Sequence, residues 1–302
     1  MKEIELIALY YYFCECYSKE LCWYNQRFSH NSSPSNEKLT DEEILTIYFY
    51  CRRYENKHLK SEIWDFANRF MRSWFPNLPA YANFNNRLNN LSDALLALVA
   101  MQLDNLKELD NQLINESVSL VDSLPIMLCS GKRQGKVAPE ISDKTFCATK
   151  GIYYWGVKLH VVAFKRPKKL PLPEFLSITP ASEFDLTALR PILPKMINRA
   201  IFADKAYADQ PLNEQLMNDN NTYIYTPVKL VKGETESVRQ FKKAADDLFS
   251  TAVSVVRQPI ESLFNYLIEK TDIQNASKVR ATKGLSAHIW GSIASALLFW
   301  LF

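Results

Sequence analysis

The first 113 residues carry the hydrophobic spacing of helices. Thr40 is followed three residues later by Glu43, directly ahead of an apolar run, and this capping box predicts the start of a helix. Over 61–75 apolar residues recur every three or four positions until a proline-containing segment ends the pattern. Further helices are predicted over 80–90 and 91–113, so the region is expected to be helical.

From residue 117 the period changes to the alternation that is typical of strands. In the longest such segment Val157, Leu159 and Val161 alternate with Lys158 and His160. The pattern predicts strands at 117–122, 153–164, 174–179, 200–204 and 222–227, and helices at 184–198, 209–219 and 255–270. Three early strands followed by alternating helices and strands predict an α/β fold with a mixed sheet flanked by helices.

Composition and charge refine this picture. The chain has 302 residues, 47% of them hydrophobic and only seven glycines, which is the composition of a packed globular protein. The net charge of +3 is small, but residues 131–169 hold ten basic residues against two acidic ones, a local net charge of +8. Such a strip suits a polyanionic substrate such as DNA. An ordinary solvated lysine-rich loop is the alternative. The basic residues are Lys132, Arg133, Lys136, Lys144, Lys150, Lys158, Lys165, Arg166, Lys168 and Lys169.

The cysteines give no sign of a zinc site or of disulfides, and the apolar segments near the two ends of the sequence do not resemble membrane anchors. The six cysteines lack the CxxC spacing of a zinc site, and no disulfide framework is indicated. Acidic residues interrupt the apolar start, as they do not in a signal peptide. The apolar segment 288–302 contains His288 and two serines and is shorter than a membrane-spanning helix. We therefore expect a cytoplasmic protein.

Three acidic residues stand out against this background. Asp122 closes the apolar run 118–122, Asp204 closes 200–204, and Glu261 lies beside the apolar stripe of the helix predicted at 255–270. Carboxylates at two strand ends and on a later helix can converge on one point, where their oxygens suit a pair of Mg²⁺ ions. Alternatively, Asp122 caps a turn, and Glu261 forms a surface ion pair with Arg257 one turn earlier. Asp209 is a rival acid, but it is better placed to cap the next helix.

The order of these acids carries a family resemblance. Glu261 is preceded four residues earlier by Arg257 and followed by Asn265, Tyr266 and the segment KTDIQNASKVRATKG. Over residues 115–290 this arrangement resembles the DDE transposases of bacterial insertion sequences, whose catalytic domain has the ribonuclease H-like fold. The resemblance implies a catalytic domain at 114–302, and the helical pattern at 1–113 then marks a separate N-terminal region. Many of these enzymes have Tyr and Lys where this chain has Ser254 and Ile268, so the auxiliary contacts differ while the three acids remain.

The resemblance also implies an activity, metals and partners. Asp122, Asp204 and Glu261 would hold two Mg²⁺ ions, with Mn²⁺ as a substitute, for cleavage and strand transfer of double-stranded DNA at the element's terminal inverted repeats and at its target. We expect a homodimer in the synaptic complex and a cytoplasmic, nucleoid-associated protein. Lys205 and Tyr207 follow Asp204 directly and are expected to face the opening of the same site. The expected DNA contacts are Lys132, Arg133, Lys158, Lys205, Arg257, Lys270, Lys278, Arg280 and Lys283.

Several alternatives stay open on sequence grounds. The helices around 61–90 form either a helix-turn-helix that contacts the DNA end through Asn83, Asn85, Asn86, Arg87 and Asn89, or a bundle that only packs. The usual glycine of the turn is missing. The carboxylates would equally serve a ribonuclease H-like nuclease without strand transfer. A catalytically silent DNA-binding relic and a protein-binding helical module are the non-enzyme alternatives, and the second leaves the acids without a role.

Overall fold

The computed structural model describes residues 2–25, 39–133, 137–147, 150–229, 236–277 and 279–302, so Lys136 and Lys278 lie outside the described residues. The chain divides into two compact units, Met1–Asn105 with Leu267–Phe302, and Leu106–Tyr266. We call them the helical unit and the α/β unit. The sequence places 114–302 in one domain, whereas this division groups the carboxyl-terminal residues with the N-terminal helices.

The N-terminal helices of the helical unit agree with the helical pattern predicted for residues 1–113. The capping box is confirmed, because Thr40 accepts from the Glu43 backbone N–H while the Glu43 carboxylate accepts from Thr40 N at 2.7 Å. The helices are α1 (Glu3–Cys16), which continues as a π-helix over Tyr17–Leu21 into α2 (Cys22–Asn25), then α3 (Asp41–Tyr54), α4 (Lys60–Phe70), α5 (Tyr81–Asn90), α6 (Ser92–Leu109), which runs on into the α/β unit, and α10 (Thr282–Leu301).

Helix α10 is the apolar core helix of this unit. By length and composition it could span a membrane, but 72% of its most apolar window is buried. It packs on α3 and α5. At Gly291 a Cβ atom would lie 2.6 Å from the Tyr48 hydroxyl of α3, so glycine permits the close approach of the two helices.

Six strands of the described residues form one mixed sheet in the order β2-β3-β1-β5-β6, with β4 also paired to β3. β3 is antiparallel to β1, β2 and β4, whereas β5 is parallel to β1 and β6. This arrangement with flanking helices confirms the predicted ribonuclease H-like fold. The strands are β1 (Asn115–Ser130), β2 (Asp143–Cys147), β3 (Ile152–Lys165), β4 (Leu172–Pro180), β5 (Ala200–Phe202) and β6 (Tyr223–Tyr225).

The helices of the α/β unit differ from the prediction in two places. The helix predicted at 184–198 is only α7 (Asp185–Leu189) followed by a 3₁₀ turn at Leu193–Lys195, since Pro191 and Pro194 lack the N–H groups that a continuous helix needs. α8 (Gln210–Asn220) begins after Asp209, whose side chain accepts from Leu212 N at 3.1 Å. α9 (Glu236–Thr271) is much longer than the predicted segment and contains Pro259.

Asp122 does not close its strand. β1 continues past it to Ser130, pairing with β3, so the expectation that the strand ends at Asp122 is wrong. What ends there is the parallel pairing with β5, which covers only Val118–Leu120. Beyond that point β1 pairs with β3 alone among the described strands. One side of β1 is then a sheet edge, where Pro125 is tolerated because its missing N–H is not needed for pairing. Hydrophobic periodicity alone cannot separate the end of a strand from the end of one pairing.

Candidate active site

The parallel pairing of β1 with β5 sets the positions of the two aspartates. Leu120 and Phe202 form the last paired row, and Asp122 and Asp204 each follow their paired residue by two positions. Side chains two residues apart in extended backbone share a face of the sheet. The same step from the same row therefore carries both carboxylates to one end of the sheet. In agreement, the charge of Asp204 contributes to raising the pKa of Asp122.

Asp122 sits in an environment that disfavours its charged form. Burial is the main cause that raises its pKa to about 6, and the nearby charges of Asp204 and Asp185 add to it. The Ser123 backbone N–H, which donates to Oδ1 at 2.8 Å, and the Arg257 guanidinium, which donates to Oδ2 at 2.7 Å, oppose this rise. The carboxylate thus lies among other acids, with Arg257 as its cationic partner.

Arg257 connects the first acid with the third. One of its terminal nitrogens donates to Asp122 and the other to Glu261, one turn along α9. The Arg257 side chain is 15% exposed and that of Glu261 52%. Ile260 and Leu263 of the same helix are buried, so the predicted apolar stripe does anchor this segment of α9. The simple surface ion pair considered from sequence is in fact a bridge to Asp122.

A fourth acid, Asp185, lies at this end of the sheet and was missed by the sequence reasoning. It is the first residue of α7, and its Oδ1 accepts from Ser123 Oγ and from Lys158 Nζ, both at 3.0 Å. Its charge raises the pKa of Asp122. Lys158 also donates to the Glu183 carbonyl at 2.8 Å. The sequence contained one signal for Asp185, an acidic residue at the start of the helix that follows β4. Such a residue is equally expected there because a negative charge stabilises the N-terminus of a helix.

Two buried polar side chains line this cluster. Tyr207 is 1% exposed, and its hydroxyl has no hydrogen-bond partner within the described residues. Its pKa is raised well above the usual value by burial and by the charges of Asp185, Asp122 and Asp204. Tyr207 was expected to face the opening of the site next to Lys205. This expectation is wrong, because the Tyr207 ring is buried. His160 Nε2 lies 2.7 Å from Thr179 Oγ1, and burial lowers the pKa of His160 to about 4, so the imidazole is neutral.

An open cleft of about 850 Å³ adjoins the acids within the α/β unit. It is lined by Asp204 and Lys205 on one side and by residues 247–258 of α9, including Arg257, on the other. Ser254 also lines this cleft, and its hydroxyl donates to the Ser250 carbonyl at 2.8 Å. Asp204 is exposed on the wall of this cleft.

The residues predicted to contact DNA fall into different settings. Lys132, Arg133 and Lys205 are exposed in the α/β unit, where Lys158 and Arg257 are instead held in ion pairs with Asp185 and Asp122. Lys270, Arg280 and Lys283 are exposed in the helical unit. Of the residues proposed for the DNA-reading helix, Arg87 pairs with Asp41 at 2.7 Å and so has a structural contact of its own.

The donor set suits a hard divalent cation. Carboxylate oxygens are the ligands that Mg²⁺ and Mn²⁺ prefer. The negative charges of Asp204 and Asp185 repel that of Asp122 and raise its pKa, and a bound cation would relieve this repulsion. Throughout the described ranges no three such side chains are arranged as a metal site. The Arg257 guanidinium instead binds oxygens of both Asp122 and Glu261.

Comparison with known proteins identifies one family. The family model described as the transposase DDE domain matches residues 113–280, which is more than half of the chain and includes all three predicted catalytic acids. Neither the curated proteins nor the solved structures give a significant match.

Proposed function

The chain belongs to the DDE-domain transposases, and we propose that it binds the terminal inverted repeats of its own mobile element and catalyses metal-dependent cleavage and strand transfer of DNA. One observation carries this proposal. Asp122 and Asp204 follow the last paired row of β1 and β5 by the same two residues, and Arg257 ties Glu261 to Asp122. Acids from two strands and a later helix thus meet at one end of the sheet.

We assign the metal ligands to Asp122, Asp204 and Glu261. The family uses divalent metal ions, and for this chain we propose two Mg²⁺ ions, with Mn²⁺ able to substitute. Bound there, the metals would activate water or a DNA 3′-hydroxyl and stabilise the leaving oxygen. Asp122 must be deprotonated to serve as a ligand, and with a pKa of about 6 it is mostly charged at neutral pH.

The other side chains at this end of the sheet support binding and positioning. Lys205, exposed next to Asp204 on the cleft, is placed to bind a DNA phosphate. Asp185 holds Ser123 and Lys158, and through Ser123 it fixes the backbone beside Asp122. Arg257 neutralises Asp122 and Glu261 and, when those acids bind metal, its guanidinium becomes available for a phosphate.

The helical unit and the assembly complete the proposal. We assign contacts with the DNA end to the helical unit, where Lys270, Arg280 and Lys283 are exposed. Joining two DNA ends to one target requires paired ends, so we propose a homodimer in the synaptic complex, acting in the bacterial cytoplasm at the nucleoid. Light scattering on the complex with end DNA tests this, and strand transfer by a single subunit on paired ends would refute the dimer.

The decisive experiment measures cleavage and joining on DNA that carries the sequences flanking the gene, with Mg²⁺, with Mn²⁺ and with chelator. The wild type is compared with Asp122→Asn, Asp204→Asn and Glu261→Gln, each checked for folding by its melting temperature. Asp209→Asn is the matched control, since it neutralises a nearby acid while Asn still caps α8. We expect joined products for the wild type and the control, and none for the three variants.

Each other outcome points elsewhere. Hydrolysis without joining would replace the transposase by a nuclease, and DNA binding without any metal-dependent product would make the chain a silent relic. Ligation of the metal is tested separately by Asp122→Cys, whose activity should depend on the more thiophilic Mn²⁺. Equal activity of that variant in both metals would remove Asp122 from the ligand set.

A further inference from the structure

The helical unit contains a pocket of about 310 Å³ that lies outside the candidate active site. It is bounded by the start of α4, by α5 and by the segment that joins α9 to α10. All of its lining residues belong to the helical unit. Its chemistry is set by His58, Lys60, Tyr81, Asn85, Asn89 and Arg280.

A buried arginine gives this pocket a positive field. Arg52 is 2% exposed and donates to the Thr271 carbonyl and to Ser292 Oγ, both at 2.9 Å, and among the described residues it forms no ion pair. Burial and, to a smaller extent, the charge of Arg52 lower the pKa of Lys60 to about 8. Burial and the same charge also act on His58 and on the lining His288, whose pKa values are lowered to about 4.

The acid at the pocket does not cancel this field. Asp272 lines the pocket, where burial raises its pKa and the charge of Arg52 lowers it. Against this single carboxylate stand Lys60 and Arg280 on the lining and Arg52 in the interior. Such an excess of cationic groups around a concave site attracts an anion.

Hydrogen-bond donors are available for that anion. Lys60 Nζ donates to Asn89 Oδ1, which orients the ammonium, and the exposed Arg280 uses Nη1 for the carbonyls of Ser277 and Val279 at 2.9 and 3.0 Å. The first turn of α10 borders the pocket through Ala281 and Gly284, and its N-cap residue Ala281 has no side chain that could cap the helix.

We propose that this pocket binds one phosphate of the DNA end together with its adjoining nucleoside, the phosphate on Lys60 and Arg280 and the base edge on Asn85 and Asn89. The proposal rests on the DNA-end binding proposed above and adds the site and the ligand. A volume of about 310 Å³ is at the small end of ligand pockets and suits one nucleotide, not a duplex. The occupant is therefore an unpaired nucleotide.

The test uses the full chain and fluorescence anisotropy. Labelled terminal-repeat duplexes, either fully paired or with one unpaired 5′-phosphorylated nucleotide, are titrated with wild type, Lys60→Gln and Arg280→Gln. Arg72→Gln is the matched control, an exposed arginine of the same unit that bonds only Asn68 among the described residues. Deoxyadenosine monophosphate, deoxyadenosine and inorganic phosphate serve as competitors.

We expect the unpaired end to bind more tightly than the paired one, and each pocket variant to weaken that binding roughly tenfold, the effect of losing one charge-assisted hydrogen bond. Arg72→Gln should stay within about twofold, and Arg280→Lys should retain most of the affinity because it keeps the charge. The monophosphate should compete, and deoxyadenosine should not. Lys60 is partly buried, so the result for Lys60→Gln is used only if its melting temperature equals that of the wild type. If it does not, the variant of the exposed Arg280 decides the test.

Two results would overturn the proposal. If the pocket variants bind DNA as Arg72→Gln does and the monophosphate does not compete, the pocket does not bind a DNA nucleotide. If the monophosphate binds without displacing DNA, its occupant is a free nucleotide. The outcome is separable from catalysis, because anisotropy measures binding alone, and a wild type that binds ends through the pocket but never joins them would refute strand transfer alone.

Discussion

Arg257 Nη1 lies 2.7 Å from Asp122 Oδ2, although 135 residues separate the two in the chain. The same guanidinium also binds Glu261. A metal ion and a guanidinium compete for the same carboxylate oxygens, so the described arrangement corresponds to the acids held together by an internal cation. Binding of divalent metal should therefore require that Arg257 releases at least part of this bridge.

Replacing Arg257 tests this competition. In Arg257→Gln the acids lose their cation, so we expect the metal-free protein to lose on the order of 1–3 kcal/mol of unfolding free energy. Addition of Mg²⁺ or Mn²⁺ should then raise the melting temperature by more than it does in the wild type. Arg190→Gln is the control, since it breaks an exposed pair with Asp209 of 2.8 Å, worth about 1 kcal/mol or less. Equal metal-induced shifts in wild type and Arg257→Gln would mean that the guanidinium does not compete.

Asp185 should act on catalysis through its neighbours. Asp185→Asn keeps the shape but weakens the hold on Lys158 and Ser123, so we expect single-turnover cleavage to slow roughly tenfold, as is usual when a residue that orients a metal ligand is changed. Because Asp185 raises the pKa of Asp122, the acid limb of the pH–rate profile should also move to lower pH. A loss as complete as that of Asp122→Asn would instead make Asp185 a ligand or reactant.

The sequence predicted the three acids but not their connections. Asp122 and Asp204 were found because each follows a short apolar run, and that signal is local. The contacts of Asp185 with Ser123 and Lys158 join residues 62 and 27 positions apart, and no local pattern encodes them. Arg257 was recognised through its spacing to Glu261, yet its bond to Asp122 depends on how α9 meets the sheet. The burial of Tyr207 also could not be predicted from the neighbouring residues in the sequence.

The elements were predicted where periodicity is strong, and the errors lie where an apolar pattern is absent or where prolines override it. The capping box at Thr40 and the alternation around Val157 each specify one conformation locally. β2 was missed because its five residues gain their strand conformation from pairing with β3, while Lys144 and Thr145 carry no apolar pattern. The predicted helix at 184–198 had suitable hydrophobic residues, but Pro191 and Pro194 outweighed them.

Buried neutral histidines should make the protein sensitive to acid. The pKa values of His58, His160 and His288 are lowered to about 4, below the usual 6.5, mainly by burial. The unfolded chain then binds more protons between pH 6.5 and 4, so stability is complete above pH 6.5 and falls as the pH drops, by at most about 3 kcal/mol per histidine. The raised pKa of Asp122 opposes this within the same window.

Urea unfolding between pH 4.5 and 7.5 measures that slope. We expect the double variant His160→Gln and His288→Gln to flatten it by up to two protons, because glutamine can keep the contacts with Thr179 and the Ile273 carbonyl without titrating. Asp122→Asn should do the reverse and steepen the net loss of stability towards low pH. A slope that is unchanged in the histidine variant would show that these imidazoles are protonated in the folded protein.

The close approach of α10 to α3 predicts opposite effects of alanine at two glycines of one helix. At Gly291 the added Cβ would meet the buried Tyr48 ring at 2.6–3.1 Å, so we expect Gly291→Ala to cost on the order of 1–3 kcal/mol, read from urea unfolding. At Gly284 the nearest atom is 3.5 Å away, so Gly284→Ala should stabilise α10 by up to about 1 kcal/mol. Tyr48→Phe removes the closest atom and should recover part of the Gly291→Ala loss. If both alanine variants stabilise the protein, α10 does not approach α3 as closely as the structure places it.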